Sequence, residues 1–133
     1  MCGTGVIMDI SVLVDLALAT LCIVSSGDDL QAPTERCYPV LVGKDTPRGE
    51  YRLQRKLVSA SGYGGDILQF KEDDLELFAI HRVWLGRPAE QRDKRLKSFN
   101  PKDRNITMGC INVDPLVYEK LLDCCADANI TIK

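Results

Sequence analysis

The chain has 133 residues, which is enough for one domain with a modest hydrophobic core. Its 17 basic and 19 acidic residues give a net charge of −2, so it has no basic excess to neutralise a nucleic-acid backbone, and we exclude nucleic acid as a partner. The 45% hydrophobic and 27% charged residues are typical of a globular protein, and neither a repeat nor a low-complexity segment is visible.

The role of the first 20 residues is left open between a targeting segment and a packed helix. Residues 6–24 are largely apolar, but no positive residue precedes them, and Asp9 and Asp15 interrupt the run. An export signal and membrane association are therefore not clear from the sequence. We predict the main domain at residues 21–133.

Short strands are predicted through the next part of the chain. Residues 21–25 and 37–42 are apolar runs followed by turn residues. Residues 46–49, Thr-Pro-Arg-Gly, predict a rigid turn into an alternating strand at 50–53. Three glycines within residues 59–66 predict a loop.

The strongest strand pattern covers residues 75–85. Phe78, Ile80 and Trp84 lie on one predicted face, and apolar residues dominate the other, so both faces are expected to be at least partly covered. The residues of that second face are Leu75, Leu77, Ala79, His81, Val83 and Leu85.

A short, exposed, charged helix is predicted at residues 88–97, because Pro88 suits a first turn and two opposite-charge pairs stand four residues apart. The two charge pairs of this helix are Glu90 with Lys94 and Asp93 with Lys97.

A polar loop is predicted at 100–105 and an apolar run at 106–113.

The last helix is predicted to begin after Asp114, a good N-cap residue, with Pro115 at its first position, and to end near Cys125. Residues 130–133 predict a closing strand. Together these elements predict a mainly β or α+β domain in which a curved sheet packs on itself. The expected apolar face of the helix is Val117, Leu121, Leu122 and Cys125.

The six cysteines do not have the spacing of a structural zinc site, since there is no Cys-x-x-Cys pair and the single histidine is distant in sequence. We predict no metal, although a scattered tetrad assembled by the fold stays open. Cys22 and Cys37 could pair if their strands are neighbours, whereas a bridge between Cys124 and Cys125 is expected to be strained.

Cys110 lies in a Gly-Cys turn near the start of a predicted helix, where backbone N–H groups can stabilise an oxyanion. A thiol needs a base to act as an efficient nucleophile, and only His81 can supply an imidazole. The alternative is that Cys110 and His81 are ordinary buried residues, which is common for both types.

The segment around Cys110 resembles the nucleophile motif of the L,D-transpeptidase (YkuD-like) family, (Ser/Thr)-x-Gly-Cys-hydrophobic-(Asn/Arg). Residues 78–81 resemble the family's histidine-bearing strand, residues 43–51 its Thr-Pro turn, and residues 128–132 its closing strand. The resemblance extends over about residues 21–132. The matching motif residues are Thr107, Gly109, Cys110, Ile111 and Asn112.

The resemblance implies a YkuD-like curved β-sandwich with a C-terminal helix and a short charged helical insertion. It also implies a Cys110 thioester mechanism on peptidoglycan tetrapeptide stems, with His81 as base, the N–H groups of Gly109 and Cys110 as oxyanion donors, and no cofactor. The acyl acceptor is left open among a stem amine, water and a lipoprotein lysine, which give a crosslinked stem, a shortened stem and an anchored lipoprotein, respectively. Expected substrate contacts are Arg82, Trp84, Thr107, Met108 and Asn112, with Arg95 and Arg104 as further candidates for binding carboxylates.

By the same resemblance, we expect peptidoglycan stem peptides as partners, carbapenem-type β-lactams as covalent inhibitors, and a location in the cell envelope, in the periplasm. The chain departs from the family where Met108 replaces a second histidine, where Arg82 follows His81 in place of glycine, and in its longer interval from His81 to Cys110. The alternatives are a non-catalytic domain that binds cell-wall peptide and a thiol hydrolase unrelated to peptidoglycan.

Overall fold

The computed structural model describes residues 9–26, 33–58 and 65–133. Within them the strands are β1 (Asp9–Asp15), β2 (Thr20–Ser26), β3 (Thr34–Pro39), β4 (Gly49–Arg52), β5 (Gln54–Leu57), β6 (Asp66–Glu72), β7 (Leu77–Arg82), β8 (Ile111–Val113) and β9 (Asn129–Ile132). The α-helices are α1 (Arg92–Leu96) and α2 (Pro115–Cys125), and two 3-10 helices cover Pro88–Glu90 and Pro101–Arg104.

The strands form two sheets. The first has the order β3-β2-β1-β9-β4 and the second the order β5-β6-β7-β8. Neighbours are antiparallel except for the pairs β1–β9 and β7–β8, which are parallel. One buried cluster contains residues of both sheets and of α2, such as Val14, Ile80 and Leu121. The predicted mainly β, α+β sandwich with a C-terminal helix is therefore confirmed.

The N-terminal segment is a strand where it is described, and the packed helix considered for it is wrong for residues 9–15. Strand β1 pairs with β2 on one side and β9 on the other, and Val12 and Val14 are buried. Alternate residues of a strand face the core, so Asp9 and Asp15 are accommodated at its two ends. The boundary predicted between residues 20 and 21 falls at the start of β2, inside the β1–β2 hairpin.

Strand predictions are confirmed for β2, β4 and β9, and the strand predicted at 75–85 is the shorter β7. The run at 37–42 divides: β3 ends at Pro39, and Leu41 and Val42 form isolated bridges to Asn112 and Asn105. Strands β5 and β6 were not predicted. Three consecutive residues at the start of β6 are all buried, so it lacks the alternation that marks a strand. The loop predicted at 59–66 lies mostly outside the described residues.

The charged insertion is not the single exposed helix predicted at 88–97. Gln91, with a φ of 50°, separates a 3-10 turn from α1. Because the helix is broken there, the Glu90 carboxylate contacts Arg92 at 3.3 Å and not Lys94, four positions on. Leu96 is only 6% exposed, so α1 has an inward face.

Helix α2 has the predicted start and end, but its buried face includes Tyr118, which was not predicted. The Asp114 side chain accepts a hydrogen bond from the Leu116 N–H at 2.8 Å, and Pro115 is the first helical residue. Its buried residues are Val117, Tyr118, Leu121 and Cys125, with Leu122 partly buried. Across the described parts of the chain, no helix is long and apolar enough to cross a membrane.

Two disulfides are present among the residues that the structure describes. Cys22 and Cys37 face each other in the β2–β3 register and are bonded, as their neighbouring strands allow. Cys124 and Cys125 are also bonded at the end of α2, a bridge that the expected strain disfavoured. The ligand atoms of Cys22, Cys37 and Glu35 lie within 4.8 Å of one another, but bonded sulfurs are not the thiolates that metal sites use.

Candidate active site

Cys110 lies immediately before β8, beside β7. The parallel register places Ile80 opposite Ile111 and His81 opposite Asn112, so the residue preceding Ile111 reaches β7 near Ala79. The Cys110 Sγ lies 3.8 Å from the Leu77 carbonyl oxygen. The sulfur therefore lies beside the start of β7, the strand that carries His81.

Four side-chain and backbone hydrogen bonds hold the turn that presents Cys110. The Gly43 N–H donates to Thr46 Oγ1 at 3.0 Å, and this hydroxyl donates to the Gly109 carbonyl at 2.8 Å. Thr107 Oγ1 donates to the Cys110 carbonyl at 2.7 Å and accepts from the Gly109 N–H at 3.1 Å. Because the Gly109 N–H already donates to Thr107, the structure does not support the oxyanion role predicted for it. Of the two predicted oxyanion donors, the Cys110 N–H remains.

Both glycines of this turn are required by close packing. A Cβ on Gly43 would lie 2.0 Å from the Thr107 carbonyl oxygen. Gly109 has a φ of 129°, and a Cβ there would lie 2.5 Å from Phe78 Cε1. The segment around Thr46 and the segment around Cys110 can therefore approach each other only with glycine at these positions.

His81 is 3% exposed, and its ring orientation is fixed by two neighbours. Nδ1 lies 2.7 Å from the Arg82 carbonyl oxygen, which can only accept, so Nδ1 carries the proton and Nε2 the lone pair. The Asn112 amide donates to Nε2 over 3.4 Å. Burial lowers the pKa of His81 to about 4, helped by the positive charge of Arg92 and opposed by the backbone hydrogen bond. The imidazole is thus neutral at neutral pH and able to accept a proton.

The Cys110 thiol is partly buried and is not in a disulfide. Burial raises its pKa, while a backbone hydrogen bond from Ala79 and the charge of Arg92 act in the lowering direction. At neutral pH both Cys110 and His81 are therefore uncharged. This arrangement suits proton transfer during attack, and not a preformed thiolate–imidazolium pair.

A cleft of about 440 Å³ opens over these two residues. Trp84, Thr107, Met108 and Asn112, all predicted as substrate contacts, line it. Met108 is 89% exposed at the rim, and Asn112 is fully buried at the floor. The complete lining is Glu76, Leu77, Phe78, His81, Trp84, Arg92, Thr107, Met108, Cys110 and Asn112.

Arg82, predicted as a substrate contact, is not part of this lining. Neighbouring residues of a strand point to opposite faces, so His81 faces the cleft and Arg82 faces α2. Arg82 pairs with Asp66 at 2.7 Å and Glu119 at 3.1 Å, and its guanidinium lies 4.2 Å from the centre of the Tyr118 ring. Hydrogen bonds from this network lower the pKa of Asp66 against the opposing effect of its burial.

Arg95 and Arg104 are also outside the cleft lining, and both hold the insertion in place. Arg95 donates to the carbonyls of Glu90, at 2.8 Å, and Asp103, at 3.1 Å. Arg104 is 5% exposed and donates to three carbonyls, two in a segment distant in sequence and one within the insertion. These carbonyls belong to Leu18, Ala19 and Ser98.

The sequence did not single out Arg92, the first residue of α1, which lines the cleft. Its Nη1 donates to Asn112 Oδ1 at 3.0 Å, and its guanidinium lies 5.2 Å from the centre of the Trp84 ring. A weak signal was available. Arg92 has no opposite charge four residues away in the insertion, and it stands four residues before Leu96, on the helix face that proves to be buried.

No family model and no curated protein matches this chain. Solved structures do match it. Over 93–96% of the chain it superposes on Bd1075 of Bdellovibrio bacteriovorus (23% identity, TM-score 0.63), L,D-transpeptidase 3 of Mycobacterium tuberculosis (13%, 0.62) and the helical cell shape determining protein Pgp2 of Campylobacter jejuni (17%, 0.64). The chain covers 47%, 61% and 49% of these proteins, respectively. It therefore has the fold of the L,D-transpeptidases.

Proposed function

We propose that this protein is a cysteine-dependent acyltransferase of the L,D-transpeptidase kind that acts on peptidoglycan tetrapeptide stems. One observation carries the proposal: a Cys110 thiol and a neutral His81 imidazole line one cleft of a domain with the L,D-transpeptidase fold. The match of residues 107–112 to the family's nucleophile motif supports the same assignment.

In the first half-reaction, His81 Nε2 accepts the thiol proton as Cys110 Sγ attacks the carbonyl carbon between the third stem residue and the terminal D-alanine. The Cys110 N–H donates to the oxyanion that forms. The carbon–nitrogen bond then breaks, His81 returns the proton to the leaving amine, and D-alanine departs. The product is a Cys110 thioester of the shortened stem.

In the second half-reaction an amine of another stem, or water, attacks the thioester carbonyl. The carbon–sulfur bond breaks, the incoming group loses a proton, and the thiol is restored. An amine acceptor gives a crosslink, and water gives a tripeptide stem. All groups required for proton transfer belong to the protein, so the chemistry needs no cofactor.

Asn112 positions the histidine in this scheme. Its Oδ1 accepts from the Trp84 N–H at 3.2 Å and from Arg92 at 3.0 Å, which directs its amide N–H groups towards His81 Nε2. The 3.4 Å contact is long for a hydrogen bond and yields readily when Nε2 takes the thiol proton.

The proposed location is the cell envelope, in the periplasm, with peptidoglycan stem peptides as partners. The two disulfides support an oxidising compartment. One structural neighbour is described as determining helical cell shape, and we extend a role in cell-wall remodelling to this chain on that basis.

Intact-mass spectrometry after incubation with a carbapenem tests the proposal. We expect one covalent adduct on the parent, none on Cys110→Ala, and slower formation on His81→Gln. Digestion products of tetrapeptide muropeptides are then followed by chromatography and mass spectrometry, where loss of D-alanine or a crosslinked dimer is expected from the parent alone.

The alternatives give different results. A folded parent with a reduced Cys110 that forms no carbapenem adduct and leaves muropeptides unchanged overturns the proposal in favour of a non-catalytic peptide-binding domain. Rapid labelling of Cys110 by chloroacetamide without carbapenem acylation indicates a thiol hydrolase that does not act on peptidoglycan.

A further inference from the structure

Arg92 is the one arginine or lysine among the described residues that line the cleft. The arginines expected to bind substrate carboxylates, Arg82, Arg95 and Arg104, are instead held in contacts elsewhere. Within this lining, Arg92 therefore supplies the one arginine or lysine charge available to an anionic group beside the Cys110 thiol.

The guanidinium of Arg92 is held rigidly yet keeps unused donors. Its side chain is 10% exposed and is fixed by Glu90 at 3.3 Å, by Asn112 at 3.0 Å and by the face of Trp84. These contacts use two of its five N–H groups, and the other three have no partner among the described residues. A preorganised arginine with donors to spare is suited to bind a carboxylate through two parallel hydrogen bonds.

The charge of Arg92 reaches both reacting groups, because it lowers the pKa of His81 and acts in the same direction on Cys110. Glu76 is the one carboxylate among the described lining residues. It is exposed, so solvent screens its charge more strongly than that of Arg92. Glu90 pairs with Arg92 at 3.3 Å and offsets part of its charge, but Glu90 does not line the cleft. Within the lining, Arg92 therefore supplies the attraction for an anion near the thiol.

The position of Arg92 also indicates which substrate group it meets. It is linked through Asn112 to His81 Nε2, the atom that returns the proton to the leaving amine. Protonation of the leaving amine requires the leaving residue to lie beside His81 Nε2, and Arg92 is the cleft cation joined to that atom through a single side chain. In a tetrapeptide stem the leaving residue is the terminal D-alanine, whose carboxylate is separated from the departing nitrogen by one carbon.

We infer that Arg92 is a specificity-determining residue that binds the free carboxylate of the leaving residue, so that the cleft selects carboxylate-terminated stems. The identity of the stem rests on the proposed function, whereas the preference for an anion is a property of the Cys110 cleft itself. Stems that are amidated or extended at this carboxylate are expected to be poor substrates.

Paired alkylation of Cys110 tests this inference. Iodoacetate and iodoacetamide differ in one group, a carboxylate against a neutral amide, and their rates at Cys110 are measured by peptide mapping, with N-acetylcysteine as the reference thiol. Relative to that reference, we expect the parent to favour iodoacetate and Arg92→Gln to lose this preference by about tenfold. Lys94→Gln, an exposed charge removal on the same helix, is the matched control and should retain it.

The rate ratio separates recognition from structure. If Arg92 only positions Asn112, both reagents change equally in Arg92→Gln and the ratio stays constant, which overturns the inference. A parent with no preference for iodoacetate overturns it as well, without any variant. Arg92→Lys keeps the positive charge but loses the planar pair of N–H donors that binds a carboxylate through two hydrogen bonds. We therefore expect an intermediate ratio of iodoacetate to iodoacetamide rates.

A substrate comparison then extends the result to peptidoglycan. Tetrapeptide muropeptides with a free and with an amidated terminal carboxylate are compared in the parent and in Arg92→Gln, and the free acid is expected to lose its advantage in the variant. If neither muropeptide reacts but the parent still prefers iodoacetate and Arg92→Gln loses that preference, the proposed function is wrong and the inferred anion site at Arg92 is supported. Equal turnover of both muropeptides by the parent contradicts the carboxylate selection.

Discussion

The two walls of the cleft are built in different ways. The sheet wall, formed by β7 and the turn at residues 107–110, is held by strand pairing and short bonds around Thr46 and Thr107. The insertion wall, residues 88–104, is held by arginine side chains that donate to backbone carbonyls, both within the insertion and at Leu18 and Ala19. The sheet wall carries Cys110 and His81, and the insertion wall carries Arg92.

This difference separates chemistry from selection. Strand pairing places His81, and the turn that presents Cys110 is fixed by the hydroxyls of Thr46 and Thr107 and by close packing at Gly43 and Gly109. Side-chain contacts fix Arg92, so the insertion can change in sequence and alter the accepted substrate while the sheet wall stays as it is. Disturbing each wall separately tests this division.

The largest effect is expected in the sheet wall, from Gly109→Ala. A Cβ at this position adds the strain of a positive φ to a clash with the Phe78 ring, together about 4 kcal/mol of unfolding free energy. Gly65→Ala is the matched control, since its φ is 99° but no atom lies within 4 Å of its Cβ, so only about 1 kcal/mol is expected. Urea denaturation measures both values. Equal losses in the two variants show that packing against Phe78 does not shape the turn.

In the insertion wall, Arg104→Met is expected to lower the free energy of unfolding by about 3 kcal/mol, because three carbonyls lose a charged donor. The thioether keeps much of the side-chain volume. Lys102→Met, an exposed change in the same 3-10 helix, should stay within about 0.5 kcal/mol of the parent. Retained alkylation of Cys110 by iodoacetamide in Arg104→Met, with a diminished iodoacetate preference, supports the division between the walls. Loss of both reactivities contradicts it.

A smaller effect is expected from pH, through His81. Its pKa is about 4 in the folded protein and about 6.5 when unfolded, so below pH 6.5 the unfolded state binds a proton that the folded state does not. Folding stability therefore falls as the pH falls from 6.5 towards 4, and the contribution of His81 amounts to about 2.5 kcal/mol at pH 4.5. His81→Gln should lack this part of the decline in urea titrations at pH 7.5 and 4.5, since it removes the single histidine. Identical declines in parent and variant indicate an exposed, unperturbed imidazole.

The sequence predicted the sheet wall well because alternation along residues 77–82 reports which face each side chain takes. It also predicted the turn at Gly109 and Cys110, since glycine supplies the room that a tight turn needs. It failed at Arg82, where a motif-adjacent charge was taken for a substrate contact although its strand position directs it to Asp66. The break at Gln91, a positive φ in a residue other than glycine, has no sequence signal, and the place of Arg92 depends on it.

Strand β6 is a second element that the sequence pattern did not predict. Its partners on both faces bury Asp66, Ile67 and Leu68 together, so no periodicity marks it. The acidic residue is tolerated there only because Arg55, Arg82 and the Tyr118 hydroxyl bond to it. Such a network joins residues distant in sequence, and a single chain read alone does not reveal it.

The uncharged state of Cys110 has a consequence for the covalent integrity of the molecule. Thiol–disulfide exchange proceeds through a thiolate, at a rate proportional to its population. Because burial raises the pKa of Cys110, its reduced sulfur rarely ionises and attacks the Cys22–Cys37 and Cys124–Cys125 bonds slowly. Deprotonation that waits for a bound substrate thus lets a nucleophilic thiol coexist with two disulfides without scrambling them.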